Sequence, residues 1–415
     1  MNERKESIYE CIRKKHEVHP EGDRLNKVWI VLLLGSLTAF GPLSMDMYLP
    51  ALPIVTVDLQ TTASFAQLSL TACLLGLAAG QLIFGPLSDI QGRRRPLMST
   101  LIIYSIASIS CAFTPNIWMF IGLRFVQGVS GAAGIVIARA SARDMYNGKD
   151  LTKFIALLSL VNGAAPILAP IFGGAVLNWV SWPAVFIILS VIGLIMFLSV
   201  IFLLPETLPL EKRSEASVLA IFKTFGDLLK DRVFMGIALS QAFISMSMFA
   251  YIAGSPFVLQ NIYDVTPQQF SLIFAANGVG IIITAQLTSK LANKLEEATL
   301  LLTGIMISVI GSILLLIVVS FSLPLWAIIP ALFLVVSSVG MVGTASFSLG
   351  MERQGKSAGS ASAFLGILPF GGGALVSPLV GIGGEHTSLP MGIVIIICSM
   401  MALLVYFTMV KYRLT

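Results

Sequence analysis

The sequence predicts an all-α membrane protein of twelve transmembrane helices, arranged as two six-helix halves with both termini in the cytoplasm. Three observations predict this class: the composition, the recurrence of long apolar runs, and the placement of the basic residues. Of the 415 residues, 56% are hydrophobic and only 11% are charged, whereas about a quarter are charged in a soluble domain. A water-soluble fold of this length cannot bury so much apolar surface, so we expect an integral membrane protein.

Apolar runs long enough to cross a bilayer recur along nearly the whole chain. A spanning helix needs roughly 20 apolar residues. The first run is too long for the core of a signal peptide, and no small-residue cleavage site follows it, so we expect it to remain as span 1. The twelve predicted spans are 28–53, 65–88, 97–114, 117–139, 153–177, 184–204, 233–259, 268–290, 299–321, 324–349, 357–381 and 389–410.

The longest internal polar stretch divides these spans into two sets of six. A weak internal repeat supports the division, since a small-Pro-x-x-Gly pattern occurs at Ala169–Gly173 in span 5 and at Ser377–Gly381 in span 11. Two related halves are a common plan among secondary transporters. The predicted organisation is a cytoplasmic N-terminal tail (1–27), a first bundle (28–204), a cytoplasmic linker (205–232), a second bundle (233–410) and a C-terminal tail (411–415).

The basic residues predict the orientation. Six short loops contain no Lys or Arg: 54–64, 115–116, 178–183, 260–267, 322–323 and 382–388. All the basic residues except Arg124 fall in the tails, the other loops or the adjoining helix ends, as the positive-inside rule requires for cytoplasmic segments. This asymmetry accounts for the net charge of +5, and we expect no nucleic-acid partner.

Two ionisable residues lie inside predicted spans, far from the basic loops. Asp46 is in span 1 and Arg124 in span 4, each about seven residues, or roughly 10 Å, below the outer end of its helix. Charges at such depth are costly and usually face a partner or a water-filled cavity. We therefore expect the two side chains to form an ion pair or to share a wet cavity.

A proton switch is the functional interpretation of this pair. Arginine stays charged, so Asp46 is the group that takes up and releases a proton when its hydration or its distance from Arg124 changes. The structural alternative is a static ion pair. We favour the proton switch for Asp46, because an intramembrane charge pair is a poor stabiliser compared with apolar packing. For Arg124, a structural and a coupling role are weighted equally.

The loop between spans 2 and 3 reads FGPLSDIQGRRRP, from Phe84 to Pro96. Asp89 lies at the inner end of span 2, where it could bind a helix N-terminus or pair with a base such as Arg143. Such a contact would latch the inner gate in one conformation. The simpler interpretation is that the three arginines only set the orientation of the chain. The candidate gating residues are Gly85, Asp89, Gly92, Arg93, Arg94 and Arg143.

Spans 4 and 5 carry small-residue motifs, and several polar residues within spans are pocket candidates. In both spans, glycines allow helices to approach closely, and prolines kink a helix, so ordinary packing is the alternative interpretation. Most polar residues within spans likewise pair with a neighbouring helix. The motif residues are Gln127 and Gly128 in span 4, with Pro166, Pro170, Gly173 and Gly174 in span 5. The pocket candidates are Met47, Asn162, Gln241, Tyr251 and Asn277.

The sequence gives no supported signature of an enzyme or an ATP-driven pump. It contains no His-Glu-x-x-His, and its matches to Gly-x-x-x-x-Gly-Lys-(Ser/Thr) and Gly-x-Ser-x-Gly, at Gly350–Ser357 and Gly355–Gly359, fall in the polar loop between spans 10 and 11. Both motifs require a strand–loop–helix unit, which a loop between two membrane spans does not provide. The four cysteines, Cys11, Cys73, Cys111 and Cys398, are too scattered for a metal site or a disulfide framework. We expect no catalytic residue, no metal and no cofactor, so an ion gradient must supply the energy for transport.

Three segments resemble the major facilitator transporters. Gly85, Leu87, Asp89, Gly92, Arg93 and Arg94 match the loop signature Gly-x-Leu-x-Asp-x-x-Gly-Arg-(Arg/Lys), and LRFVQG in span 4 matches Arg-x-x-Gln-Gly. Span 5 is similar to the antiporter signature Gly-x-x-x-Gly-Pro-x-x-Gly-Gly, with alanine at positions 165 and 169 where glycine is usual.

Together with MDMYLPALP (Met45–Pro53), these segments resemble the bicyclomycin/chloramphenicol-resistance (Bcr/CflA) family of drug exporters. The resemblance implies a major facilitator fold and a proton-coupled antiporter of a bacterial cytoplasmic membrane. Its substrates would be small apolar or cationic drugs, and it would function as a monomer. A major facilitator exporter or symporter of an endogenous metabolite is the alternative that the sequence leaves open.

Overall fold

The computed structural model of the protein describes residues 20–146, 148–213, 226, 228–352, 358–385 and 387–411. Long α-helices dominate these residues and pack into one bundle. The helices that build it are α1 (Pro20–Thr38), α2 (Phe40–Asp46), α3 (Leu52–Asp58), α4 (Ala63–Gln91), α5 (Arg94–Ala112), α6 (Ile117–Met145), α7 (Gly148–Val176), α8 (Pro183–Leu203), α9 (Arg232–Phe257), α10 (Pro267–Leu291), α11 (Glu297–Ser320), α12 (Leu325–Glu352), α13 (Ala358–Val380) and α14 (Leu389–Val405).

Most of these helices suit a bilayer. In the described ranges, nine are long and apolar enough to cross a membrane, or ten if the bent α1–α3 segment is one span. Two shorter apolar helices, Gly163–Val176 and Phe364–Val380, lie within α7 and α13. On α8, Val191, Leu194 and Phe202 are 50%, 51% and 78% exposed, as expected for a lipid-facing surface. The count of twelve spans and the cytoplasmic location of both termini stay predictions.

The first predicted span is broken rather than continuous. The segments Trp29–Thr38 and Phe40–Asp58 meet at an angle of 42°, and a 3₁₀ turn at Leu49–Ala51 separates α2 from α3. Pro42 explains the bend, because a proline has no N–H for the carbonyl four residues earlier, which belongs to Thr38, and its ring displaces that carbonyl. The break leaves Asp46 as the last residue of a short helix.

The two halves contain the same kind of helix pair. In the first half, α4 and α6 touch backbone to backbone, and a Cβ at Gly128 would overlap the carbonyl of Cys73. In the second half, α10 and α12 meet in the same way, with Gly340 against the carbonyl of Ile281. Between the halves, α4 packs on α13 and α7 packs on α10. If the two halves are interchanged, each of these contacts takes the place of the other, as a pseudo-twofold arrangement requires.

The halves are fastened together at one end of the bundle, which carries the loops without Lys or Arg and which we call the outer end, following the predicted orientation. One apolar cluster there contains residues of both halves, from Met45 to Cys398. Within the described part of the chain, the hydrogen bonds that cross between the halves also lie at this end. They join Ser64 to Gly381 (2.7 Å), Gln67 to Ala253 (3.0 Å), Gln260 to Pro50 (3.2 Å), Gln268 to Gly174 (3.1 Å), Gln268 to Asn178 (2.5 Å) and Ser271 to Pro170 (2.7 Å).

Candidate functional site

A cavity of about 350 Å³ lies between the two halves, inward of the sealed outer end. Helices of both halves contribute to its wall, which is mainly apolar with a few polar groups. Such a wall is typical of a small-molecule site. The lining residues are Gly41, Pro42, Met45, Asp46, Gln81, Ile135, Arg139, Pro166, Gln241, Ser245, Met248, Phe249, Tyr251, Ile252, Phe274, Gly278, Ile281, Val336, Leu365, Gly366, Pro369 and Phe370.

Asp46 lies on this cavity at the C-terminal end of α2. Its side chain is only 5% exposed, and in the described part of the chain its Oδ1 atom has no hydrogen-bond partner. An acceptor that is buried without a partner is rare in a folded protein. The carboxyl group is therefore free to accept a proton, a water molecule or a donor group of a bound solute.

Arg124 is held inside the first half rather than in the cavity. It is fully buried on α6, donates a hydrogen bond to the side-chain oxygen of Gln127, and places its guanidinium carbon 4.4 Å from the centre of the Tyr48 ring. Gln127 in turn donates to the hydroxyl of Ser108 at 2.8 Å. The guanidinium thus rests on an aromatic face, an arrangement that attracts a cation, while its Nε and Nη2 atoms have no hydrogen-bond partner among the described residues.

Asp46 and Arg124 do not form the ion pair that was one of the two expectations. Among the described residues, the ion pairs are Arg93–Asp89, Arg93–Asp144 and Arg213–Glu206. Tyr48, which contacts Arg124, follows Asp46 by two residues, and this spacing turns the two side chains roughly 200° apart around a helix. Asp46 faces the cavity while Tyr48 and Arg124 face the interior of the first half.

The predicted pocket residues divide into three groups. Gln241, Tyr251 and the motif residue Pro166 line the cavity. Asn277 lies one layer behind, where it donates to the Tyr251 hydroxyl at 2.9 Å. Met47 is buried but does not line the cavity, and the side chain of Asn162 lies outside the described residues.

Three polar lining residues were missed as pocket candidates. Gln81 lies on α4, Arg139 on α6 and Ser245 on α9, and all three contribute to the cavity wall. Arg139 follows Ile135 by four residues, so the two lining residues share one face of α6. In the sequence, Arg139 counted as one more basic residue at an inner helix end.

The span 5 motif lies at the sealed outer end. A Cβ at Gly173 would overlap the carbonyl of Met47, and one at Gly174 would lie 3.3 Å from the Cβ of Ser271. The carbonyl of Pro170 accepts the hydrogen bond from Ser271 Oγ. These small residues let α7 approach both the broken first segment and a helix of the opposite half.

The arginine-rich loop forms a network within the first half. Arg93 is 5% exposed and bonds Asp89 at 2.5 Å, Asp144 at 2.8 Å and the Ser88 hydroxyl at 2.8 Å. Gly92 adopts φ +90°, a backbone conformation that favours glycine. Asp89 therefore pairs with Arg93 rather than with Arg143, which makes none of the ion pairs in the described ranges. Asp144 joins the loop to the end of α6.

Two further candidates complete this loop. Arg94 donates to the carbonyl of Ile201 at 2.5 Å, which ties the loop to α8, and Gly85 lies half-buried on α4. Glu206, which the sequence did not single out, accepts hydrogen bonds from the backbone N–H groups of Arg93 at 2.8 Å and Arg94 at 3.3 Å. The carboxylate therefore holds the start of α5.

Known proteins resemble this chain in sequence and in fold. A sequence model described as Major Facilitator Superfamily matches residues 34–378. The chain is 44% identical over 386 residues to "Uncharacterized MFS-type transporter YdgK" of Bacillus subtilis (strain 168), which covers 92% of this chain and 96% of that protein. It is 29% identical over 384 residues to the "Bicyclomycin resistance protein homolog" of Haemophilus influenzae, again covering 92% and 96%.

A solved structure shares the fold. The bacterial homolog of the human lysosomal transporter Spinster, in its inward-facing and unoccupied conformation, matches with a TM-score of 0.75. The match covers 94% of this chain and 97% of that one, at 15% sequence identity. At this identity the likeness shows the fold alone.

Proposed function

The chain belongs to the Major Facilitator Superfamily, and we propose that it exports small apolar or cationic drugs in exchange for protons. Members of this family move solutes across membranes and are not enzymes. The observation that carries the proposal is Asp46, a buried acid on the wall of a cavity between the two halves, with one oxygen unpartnered in the described part of the chain. The similarity to a bicyclomycin resistance protein homolog supports a drug as the substrate.

The proposed cycle is alternating access in a bacterial cytoplasmic membrane by a single copy of the chain. With the outer end sealed, the cavity takes up drug from the cytoplasm or the inner leaflet. The halves then rock, drug leaves to the outside, and Asp46 takes up a proton that is carried inward on the return. One charge that moves through 100 mV contributes about 2.3 kcal/mol. For an uncharged drug exchanged for one proton, this energy sustains a gradient of some tens-fold in drug concentration.

Arg124 contributes a fixed positive charge within the first half, which also carries Asp46. It is held by Gln127 and Tyr48 and does not touch the carboxyl group. Its attraction therefore favours the ionised form of Asp46 through space. A rocking motion that changes this separation or admits water to the cavity would change how tightly Asp46 holds its proton.

Proton exchange is testable in inside-out vesicles that are acidic inside. Chloramphenicol, bicyclomycin and a lipophilic cation are added in turn, and a pH-sensitive dye reports dissipation of the gradient. We expect drug-induced proton efflux from vesicles with the native chain and none with Asp46→Asn, which keeps the size of the side chain but cannot ionise. Equal membrane levels of the two proteins, checked by immunoblot, are the control.

Drug-induced efflux that persists in Asp46→Asn would contradict the assigned role of Asp46. A folded, inserted native chain that responds to no drug would contradict drug export. In that case the same cavity and carboxyl group would be assigned to an exporter or symporter of an endogenous metabolite, and direction of accumulation in vesicles would distinguish the two.

A further inference from the structure

Three polar atoms on the cavity wall have no hydrogen-bond partner in the described part of the chain: Asp46 Oδ1, Gln81 Nε2 and Gln241 Oε1. Buried polar groups in folded proteins are nearly always paired with protein or ordered water. Each of the three atoms therefore needs a water molecule or a solute. Because they differ in chemistry, two acceptors and one donor, they also specify what kind of solute group fits.

The two amides come from opposite halves and converge on one turn of α13. Gln241 donates its Nε2 to the carbonyl of Leu365 at 3.4 Å, which leaves Oε1 free. A methyl group at the next residue, Gly366, would lie 3.7 Å from Gln81 Oε1, while Gln81 Nε2 remains unpartnered among the described residues. The boundary between the halves thus presents one free donor and one free acceptor near the same turn of α13.

Arg139 adds a positive charge to the same wall. It lies on α6, two turns beyond Gly131, which packs near Ser44, so it is roughly 12 Å inward of that level. Helical side chains lean toward the helix N-terminus, which directs Arg139 from the inner end toward the cavity. It makes no ion pair within the described ranges, and it is an exposed residue that lines the cavity.

We propose that Gln81, Gln241 and Arg139 form a subsite for the polar group of an uncharged substrate. Arg139 and Gln81 donate to its carbonyl or nitro oxygens, and Gln241 accepts from its amide N–H or hydroxyl. The apolar remainder of the substrate lies against Met248, Phe249 and Phe274. This inference rests on the proposed drug export and narrows its substrates to neutral compounds rather than permanent cations.

The charges on the wall give a second reason for this selectivity. When Asp46 is ionised, the cavity carries one negative and one positive side chain. In the drug-loaded state of the proposed cycle Asp46 is ionised, and the positive charge of Arg139 opposes the attraction of Asp46 for a cation. A neutral substrate avoids the repulsion from Arg139 in both protonation states.

Direct binding to the purified, detergent-solubilised full chain tests the subsite without any gradient. Isothermal titration calorimetry measures chloramphenicol, which is uncharged and carries an amide, hydroxyls and a nitro group, and tetraphenylphosphonium, a permanent cation. The variants are Arg139→Gln and Gln241→Leu. Lys290→Gln is the matched control, since it removes one positive charge from an exposed inner helix end outside the cavity wall.

We expect each cavity variant to weaken chloramphenicol binding about tenfold, equivalent to about 1.4 kcal/mol. Gln241→Leu removes the acceptor, and Arg139→Gln replaces the charged guanidinium donor by a shorter, neutral amide. Arg139→Gln should leave tetraphenylphosphonium binding unchanged or tighten it, and Lys290→Gln should alter neither. Thermal unfolding of each variant, matched to that of the native chain, confirms that it is folded.

Three results would overturn the subsite: no chloramphenicol binding by the native chain, unchanged chloramphenicol binding in both cavity variants, or equal losses for both probes. Failure of proton exchange is a separate result. Selective binding that depends on Arg139 and Gln241, together with no drug-driven proton movement, would keep the subsite and remove the antiport mechanism.

Discussion

At the scale of single residues, the carboxylate of Glu206, beside the arginine-rich loop, makes the stability of the folded state depend on pH. Partial burial acts to raise the pKa of Glu206, but hydrogen bonds from the backbone N–H groups of Arg93, Leu208 and Arg94 outweigh it, so the pKa lies below its ordinary value. A carboxyl group with a depressed pKa stabilises the folded state above its unfolded pKa, about 4.3. That stabilisation disappears as the pH falls through the lower folded value.

Replacing this carboxylate tests the argument. We expect Glu206→Gln to unfold at a lower temperature than the native chain at neutral pH, with the difference shrinking as the buffer is acidified to about pH 4 and below. Thermal unfolding in detergent across a pH series measures this. The exposed Glu211 lies in the same linker, and Glu211→Gln is the control. A difference that is constant at every pH would contradict the assignment.

Single residues also show how far sequence reasoning reaches. Asp46 was identified because an acid inside an apolar span is conspicuous, and Gln241 because it is polar within a span. Arg139 was missed, since the same residue type at an inner helix end sets orientation whether or not it faces the cavity. Met47 was selected in error as a lining residue, because a neighbour of Asp46 points to another side of the helix. Which way a side chain faces depends on helix rotation, which packing determines.

At the scale of helices, close backbone contact determines how α4 and α6 pack. A Cβ at Gly128 would meet the carbonyl of Cys73, and backbone atoms cannot move aside as a flexible side chain can. We expect Gly128→Ala to destabilise the protein by about 1–3 kcal/mol through overpacking, measured as a lower unfolding temperature in detergent.

Gly122, on the same helix, provides the matched control for this substitution. Nothing lies within 4 Å of the position its Cβ would occupy, so Gly122→Ala should have no steric cost. In the helix interior it should add about 0.5–1 kcal/mol of stability. Equal unfolding temperatures for the two variants would show that close approach is not what Gly128 provides.

Helix boundaries were largely predictable, and the break in the first span was not. The long apolar runs end at polar or proline-containing turns, which makes their limits recognisable. Span 4 was predicted over 117–139, and the observed helix, Ile117–Met145, begins at the same residue and continues past the predicted end. In the first span, Pro42 and Pro50 were present in the sequence. A proline within a membrane helix either kinks or ends it, and neighbouring helices decide which of these occurs.

At the scale of the whole molecule, rocking of the halves requires the outer seal to open. A disulfide between Gly174→Cys and Ser271→Cys would join α7 to α10 across the halves, since the two Cβ atoms would lie 3.3 Å apart, close to the 3.5–4.5 Å of disulfides. We expect oxidation to stop drug-driven proton movement in vesicles and reduction to restore it.

A disulfide within one half is the control for this experiment. Ser308 and Ser399 lie in the second half with their Oγ atoms 2.9 Å apart. Linking Ser308→Cys to Ser399→Cys should leave transport unchanged, because α11 and α14 move together. Full transport by the oxidised Gly174–Ser271 pair would contradict rocking about an outer seal.

The one-sided closure of the bundle has a pharmacological consequence. In the predicted orientation, the six cross-half hydrogen bonds at the outer end leave a compound in the surrounding medium no direct route to the cavity. A blocker designed to fill that cavity must first cross the bilayer and then act from within the cell. Membrane permeability, as much as fit to the cavity, would therefore limit the potency of such a blocker against intact bacteria.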